Sequence, residues 1–159
     1  MNSPKVVFID MDNTIAETTT CKTIKFQQGL YLSKRPIQTV IDAILTLYPQ
    51  PKVIVTKVQG GQAGIDEKLQ WLQQHFEPKT FVDFIFLLDH EPYYYKGVYI
   101  DKWLQQHNLQ NEDALIIDDS KQVLQYCDAY GIQTKYPQQV ICDYEEYMKQ
   151  FQVGTISLK

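Results

Sequence analysis

The sequence predicts an α/β three-layer sandwich built on a five-stranded parallel sheet, and three features carry that expectation. Five short runs of β-branched and other apolar residues alternate with helix-like segments. The runs are apolar almost without interruption, as strands are when both faces of a sheet are covered. The first four run directly into polar or acidic residues, which parallel strands would gather at one ligand-binding edge.

The elements follow in order. Residues 5–9 (KVVFI) are too short and too continuously apolar for a surface helix and read as the first strand. Residues 37–48 place Ile37, Val40, Ile41, Ile44 and Leu45 on one helical face, with Pro36 before and Pro49 after. Residues 52–55 form the second strand. Asp66 then stands where a cap would precede a helix that buries Leu69, Leu72 and Phe76. The third strand, residues 81–88, is apolar nearly throughout. A helix over 97–107 buries Ile100, Trp103 and Leu104, and Ala114–Ile117 is the fourth strand. A helix over 121–130 ends at Gly131, a residue suited to the left-handed C-terminal position. A weaker strand follows at 132–135, then a short helix and tail from Asp143.

A chain of 159 residues suits one domain and can bury a core without disulfides. Its 44% hydrophobic and 21% charged residues are ordinary for a globular protein. The net charge of −4, with no basic run or stripe, speaks against a nucleic-acid partner. There is no leader-like N-terminus and no apolar stretch of membrane-spanning length. Cys21, Cys127 and Cys142 are odd in number and lack metal-site spacing, so reduced thiols and a cytoplasmic location are expected.

The informative residues lie at the strand ends. The first strand runs into Asp10-Met11-Asp12-Asn13-Thr14, the second into Thr56, the third into Asp89 and the fourth into Asp118-Asp119-Ser120. Any one aspartate there explains itself as a strand end or helix cap. Brought together, the carboxylates repel one another, and a divalent cation with oxygen ligands relieves that repulsion.

VVFIDMDNTIAE, VIVT and ALIIDDS together resemble three signatures of the haloacid dehalogenase-like phosphatases, in the family's order. The resemblance covers residues 5 to about 130 and implies a Rossmann-like fold. It also implies a phosphorylated aspartate, with Asp10 as nucleophile and Asp12 as acid and base. Thr56 would donate to a phosphoryl oxygen. Asp10, the backbone carbonyl of Asp12, Asp118 and Asp119 would hold Mg²⁺. The family's lysine is assigned to Lys96, at the start of the helix after the third strand, with Lys68 as its rival and Lys102 as a solvated side chain.

The intervals between these signatures are filled by predicted elements, so a minimal cap or none is expected. Residues 17–35 suit a hairpin flap with Gly29 near a turn. Such an open site admits a small phosphate ester or a larger phosphorylated partner, and a neighbouring subunit could also cover it. DMDN, KLQWLQQHF and IIDD are similar to segments of the 5′(3′)-deoxyribonucleotidases, which implies a nucleoside monophosphate. Those enzymes carry a larger helical cap and keep the lysine nearer the last motif, so no nucleotide contacts carry over. Tyr93, Tyr94 and Tyr95 precede Lys96 and either stack on a leaving group or pack over the sheet edge. His90 reads as an ordinary loop histidine and Asp89 as a neighbour of the site.

A receiver-type phosphoacceptor domain is the alternative. It would use Asp89 as acceptor and Lys135 as the lysine after strand five, but it expects adjacent acids after strand one. A catalytically retired relative acting as a binding module is a second alternative. A phosphotransferase would use the same residues as a hydrolase.

Overall fold

The structure, a computed structural model, describes residues 2–18 and 25–157, the side chains of 152–157 excepted. The elements run β1 (Val6–Ile9), α1 (Gln38–Leu47), β2 (Lys52–Val58), α2 (Gly61–His75), β3 (Asp83–Leu88), α3 (Tyr95–Gln106), β4 (Ala114–Ile117), α4 (Lys121–Ala129), β5 (Gln133–Lys135) and α5 (Pro137–Ser157). All strand pairs are parallel, in the order β3-β2-β1-β4-β5.

Strand alternation builds the two outer layers. Val7, Ile9, Ile54, Leu115 and Ile117 face one side, against Val40, Ile41 and Ile44 of α1, Trp71 and Leu72 of α2 and Val140 of α5. Val6, Phe8, Val53, Val55 and Ile116 face the other, against Ile100 and Leu104 of α3 and Val123, Leu124 and Cys127 of α4. The result is the expected Rossmann-like three-layer sandwich.

This winding positions the site. From β1 the chain steps outward through β2 to β3 with its helices on one face. It then returns through α3 to β4 with its helices on the other face. The order therefore reverses between β1 and β4, where open α/β sheets leave a crevice at the strand C-terminal ends. Ile9 is level with Ile117, so Asp10 and Asp118 emerge side by side at that crevice. The receiver-type alternative fails on the same observation, because that fold orders its strands 2-1-3-4-5. Lys135 accordingly bonds Asp143 and Tyr48.

Several expected boundaries move. β2 continues to Val58, which puts Thr56 inside the strand, paired in register with Phe86. β3 starts at Asp83 and is an edge strand, with β2 as its one neighbour among the described residues, so Phe84 and Leu88 are exposed where full burial was expected. α2 begins at Gly61, five residues before Asp66, after Gly60 turns the chain with φ 81°. Asp66 instead accepts from Gln62 one turn earlier. Leu45 faces solvent while Ala43 fills the core. α3 starts at Tyr95, and α5 starts at Pro137 rather than Asp143, with the proline in the first turn where its missing N–H costs nothing.

Between β1 and α1 the described residues hold turns rather than a cap domain or a hairpin. Gly29 (φ 90°) lies in the turns of 28–33, and Ala16 bridges Pro36. Residues 19–24, including Cys21 and part of the expected flap, lie outside the described residues. Cys127 is buried and Cys142 exposed, both as free thiols. No helix among the described residues is long and apolar enough to cross a membrane.

α2 approaches the end of β2 closely at Gly64, where an added Cβ would lie 1.8 Å from the Gln59 carbonyl oxygen. Backbone cannot yield as a side-chain tip does, so Gly64→Ala is expected to destabilise the fold by about 1–3 kcal/mol. Urea unfolding checks this, and an unchanged midpoint would contradict the packing described.

Candidate active site

Asp10 is the first residue past β1 and is almost fully buried. Its backbone N–H bonds the Ile117 carbonyl, which locks its height relative to β4. The turn that follows is closed by three N–H groups, of Thr14, Ile15 and Ala16, all directed at the Met11 carbonyl. Asn13 takes a left-handed φ of 60° there, a conformation asparagine tolerates better than most residues. The Thr14 hydroxyl donates to Asp10 Oδ2 at 3.3 Å.

Lys96, in the first turn of α3, sends its ammonium between two carboxylates, 2.8 Å from Asp10 Oδ1 and 2.7 Å from Asp118 Oδ2. Burial alone would lower its pKa, but the two carboxylates outweigh burial and raise it, so the side chain is a fixed cation. Asp10 moves the other way. Burial and the Asp118 carboxylate push its pKa well up, against the pull of Lys96. Asp118 Oδ1 also accepts the Ser120 N–H at 2.9 Å, and Ser120 caps α4 by accepting from Val123.

Asp10, Asp118 and the exposed Asp119 each offer a carboxylate oxygen within 4.8 Å of the others. An oxygen-only set of crowded carboxylates fits a hard divalent cation of the Mg²⁺ kind.

A second cluster surrounds Asp12. Its Oδ2 lies 2.9 Å from Lys68 Nζ and its Oδ1 lies 2.5 Å from Lys34 Nζ. Burial would raise its pKa, yet Lys68 and Lys34 together lower it, so the resting group is a carboxylate. The fully buried Lys68 also donates to Thr56 Oγ1 (2.8 Å) and to the Lys57 carbonyl (2.7 Å). The two rival lysines are therefore both at the site with different partners: Lys96 serves Asp10 and Asp118, whereas Lys68 serves Asp12 and Thr56.

α2 also holds the 25–35 segment. The Glu67 carboxylate accepts the N–H groups of Gly29 (2.7 Å) and Tyr31 (3.0 Å), and Trp71 Nε1 donates to the Lys34 carbonyl (2.9 Å). Tyr31 in turn accepts the Gln59 N–H, and its ring lies 4.6 Å from Lys68 Nζ. Burial pushes the Tyr31 phenol up to about 12, so it stays protonated.

A cavity of about 490 Å³ is lined by Asp10, Asp12, Tyr31, Asp118 and Asp119 with Lys57, Tyr93 and Lys96. Asp89 lines it as well. Thr56 is fully buried and bonded to Lys68, and neither it nor His90 is part of the cavity wall. Lys102 is exposed on α3, as expected. Tyr94 and Tyr95 pack on Tyr126 and Tyr99 instead, leaving Tyr93 as the one member of that trio in the cavity. Sequence reasoning missed Lys34, Lys57 and Glu67. Lys57 was detectable, because it immediately follows Thr56 at the ligand-binding edge.

Neither a family model nor a curated protein matches the sequence. Solved structures do resemble the fold. A haloacid dehalogenase-like hydrolase from Streptococcus pneumoniae superposes with a TM-score of 0.59 at 17% identity, over 91% of this chain and 92% of that one. A second, from Xanthomonas campestris, gives 0.59 at 13% identity over 84% and 82%. The chain has the haloacid dehalogenase-like fold. An enzyme of that family from Bacteroides thetaiotaomicron, in complex with magnesium and inorganic phosphate, superposes at 0.57 with 12% identity, over 84% of this chain and 94% of that one.

Cation binding at the Asp10–Asp118–Asp119 cluster should be visible as stability. At about 100 times its Kd a ligand adds ~2.7 kcal/mol, several degrees of Tm in a domain of this size. Thermal melts in Mg²⁺ against EDTA should show that rise in the wild type. Asp119→Asn, at an exposed position, should remove most of it, and identical melts in both buffers would exclude the cluster as a cation site.

Proposed function

We propose that this protein is a phosphate-monoester hydrolase working through phosphorylated Asp10, with Mg²⁺ held by Asp10, the Asp12 carbonyl, Asp118 and Asp119. One observation carries the reading. A buried carboxylate at the sheet's switch point is held by one lysine, stands beside two further carboxylates, and is followed two residues on by a second acid in the same cavity.

In the first half-reaction an Asp10 oxygen forms a bond to phosphorus as the bond from phosphorus to the leaving oxygen breaks. Asp12, a carboxylate at rest, takes up the proton of a monoanionic phosphate ester as that ester displaces Lys34, and passes it to the leaving oxygen. In the second half-reaction Asp12 takes a proton from water as the water oxygen attacks phosphorus, which frees Asp10 and inorganic phosphate. Lys96 balances the charge of Asp10 and of the transferred group throughout. The bound cation supplies further charge stabilisation for the phosphoryl oxygens. Thr56 serves chiefly by anchoring Lys68, which with Lys34 aims Asp12. Since both Asp12 oxygens are engaged, Lys34 is the partner that yields when a leaving group arrives, because Lys68 is tied to three acceptors.

Two features support a small phosphorylated substrate: the size of the cavity, and the magnesium and phosphate bound to the Bacteroides enzyme of this fold. A nucleoside monophosphate fits this class. Hydrolysis of p-nitrophenyl phosphate and of an alkyl phosphate, in Mg²⁺, tests the roles. Asp10→Asn should abolish both activities. Asp12→Asn should lower alkyl phosphate hydrolysis by about 10²–10⁴-fold, and p-nitrophenyl phosphate hydrolysis less, because nitrophenolate leaves without needing a proton. Full activity in Asp10→Asn would refute the assignment.

A further inference from the structure

Two lysines line the Asp10–Asp12 cavity, Lys57 and Lys96, and two more, Lys34 and Lys68, bond the Asp12 carboxylate in its wall. Of the four, three are bonded to carboxylates: Lys34 and Lys68 to Asp12, and Lys96 to Asp10 and Asp118. Lys57 differs. Among the described residues it forms no ion pair, and its ammonium rests 4.3 Å from the centroid of the Tyr93 ring. Both residues line the cavity. The carboxylate of Glu91, which would be a natural partner, is instead taken by the Tyr99 hydroxyl and the Leu88 N–H.

The position of Lys57 is set by the catalytic apparatus itself. Its backbone carbonyl accepts from Lys68 Nζ, the same ammonium that holds Asp12 and Thr56. Its side chain thus starts from a rigid point at the end of β2 and lies along an aromatic face, which restrains it and lowers the entropy lost when it engages a ligand. The Tyr93 phenol is raised by burial and by Asp10, Asp12 and Asp118, against the effect of Lys96, which puts this ring within electrostatic reach of the reacting groups. A cavity of about 490 Å³ falls in the range of small-molecule sites and has room for a leaving group beside the phosphoryl group.

Resting on the phosphatase reading above, we propose that Lys57, seated on Tyr93, binds a second anionic group carried by the leaving alcohol. The substrate class is then a phosphate monoester whose alcohol bears a carboxylate or a further phosphate. Lys96 serves the transferred phosphoryl group, beside the carboxylates that would hold the cation, and Lys57 serves the far end of the substrate.

Three aryl esters test this: phenyl phosphate, 4-carboxyphenyl phosphate and 1,4-phenylene bisphosphate. The quantity read is kcat/KM for each charged ester divided by that for phenyl phosphate, in wild type and in Lys57→Met, which keeps the stem on Tyr93 without the charge. Comparing the two proteins cancels intrinsic differences in leaving-group reactivity. Lys57→Met should lower the ratio at least about tenfold, the size of a charge-assisted hydrogen bond, and Lys57→Arg should restore most of it. A drop for one charged ester alone identifies whether the second group is carboxylate or phosphate. Equal ratios in wild type and Lys57→Met would overturn the inference while leaving the phosphatase reading intact. Failure of the wild type to hydrolyse any of the three esters in Mg²⁺ would instead remove the phosphatase reading, and this inference with it.

Discussion

The site depends on one buried ammonium. Asp10 and Asp118 leave adjacent strands at the same height, and two buried carboxylates in that position repel each other and lose their hydration. Lys96 reaches both, and it can do so only if the first turn of α3 sits over the ends of β1 and β4. Gly97 secures that placement. An added Cβ there would meet the Tyr130 ring at 3.1 Å, so α3 and α4 approach more closely than a side chain would allow. The electrostatic demand and the close helix packing therefore fix the same element.

The Asp12 side is built on α2. Gly64, Glu67, Lys68 and Trp71 recur at helical spacing on its buried face, and each has a separate task. Gly64 permits contact with the end of β2, and Lys68 holds Asp12 and Thr56. Glu67 and Trp71 bond the backbone of 29–34, while Phe26 packs so closely on Gly60 that an added Cβ would lie 2.4 Å from its ring. The segment that would be a flap thus behaves as an outer layer of α2. Through it, Lys34 is delivered to Asp12 from a stretch with no regular structure of its own. This is how a chain without a cap among its described residues still encloses one wall of its cavity.

Much of this was legible in the sequence because local chemistry and tertiary placement agree. β1 and β4 are short β-branched runs between polar ends, and their acids follow directly, so both strands, and Asp10, Asp12, Asp118 and Asp119 at one edge of the sheet, could be placed from pattern. The start of α2 was misplaced because Asp66 has the chemistry of a cap, whereas the left-handed turn at Gly60 opens the helix. β3 was read as covered on both faces because Phe84, Ile85, Phe86, Leu87 and Leu88 form an unbroken apolar run. Its place at the edge is a property of the winding, which no local signal carries. Lys34 and Glu67 were invisible for a similar reason: their partners lie 22, 36 and 38 residues away, and a lone charge has no periodicity.

The central claim is that Asp10 becomes covalently phosphorylated. The most direct test is to mix the protein with substrate and Mg²⁺, quench during turnover, reduce with borohydride and map the product by peptide mass spectrometry. An acyl phosphate at Asp10 is reduced to homoserine, so the account predicts that conversion at residue 10, dependent on substrate and absent from the other aspartates. Turnover with Asp10 unmodified, or with the label on Asp89 or Asp118, would contradict it.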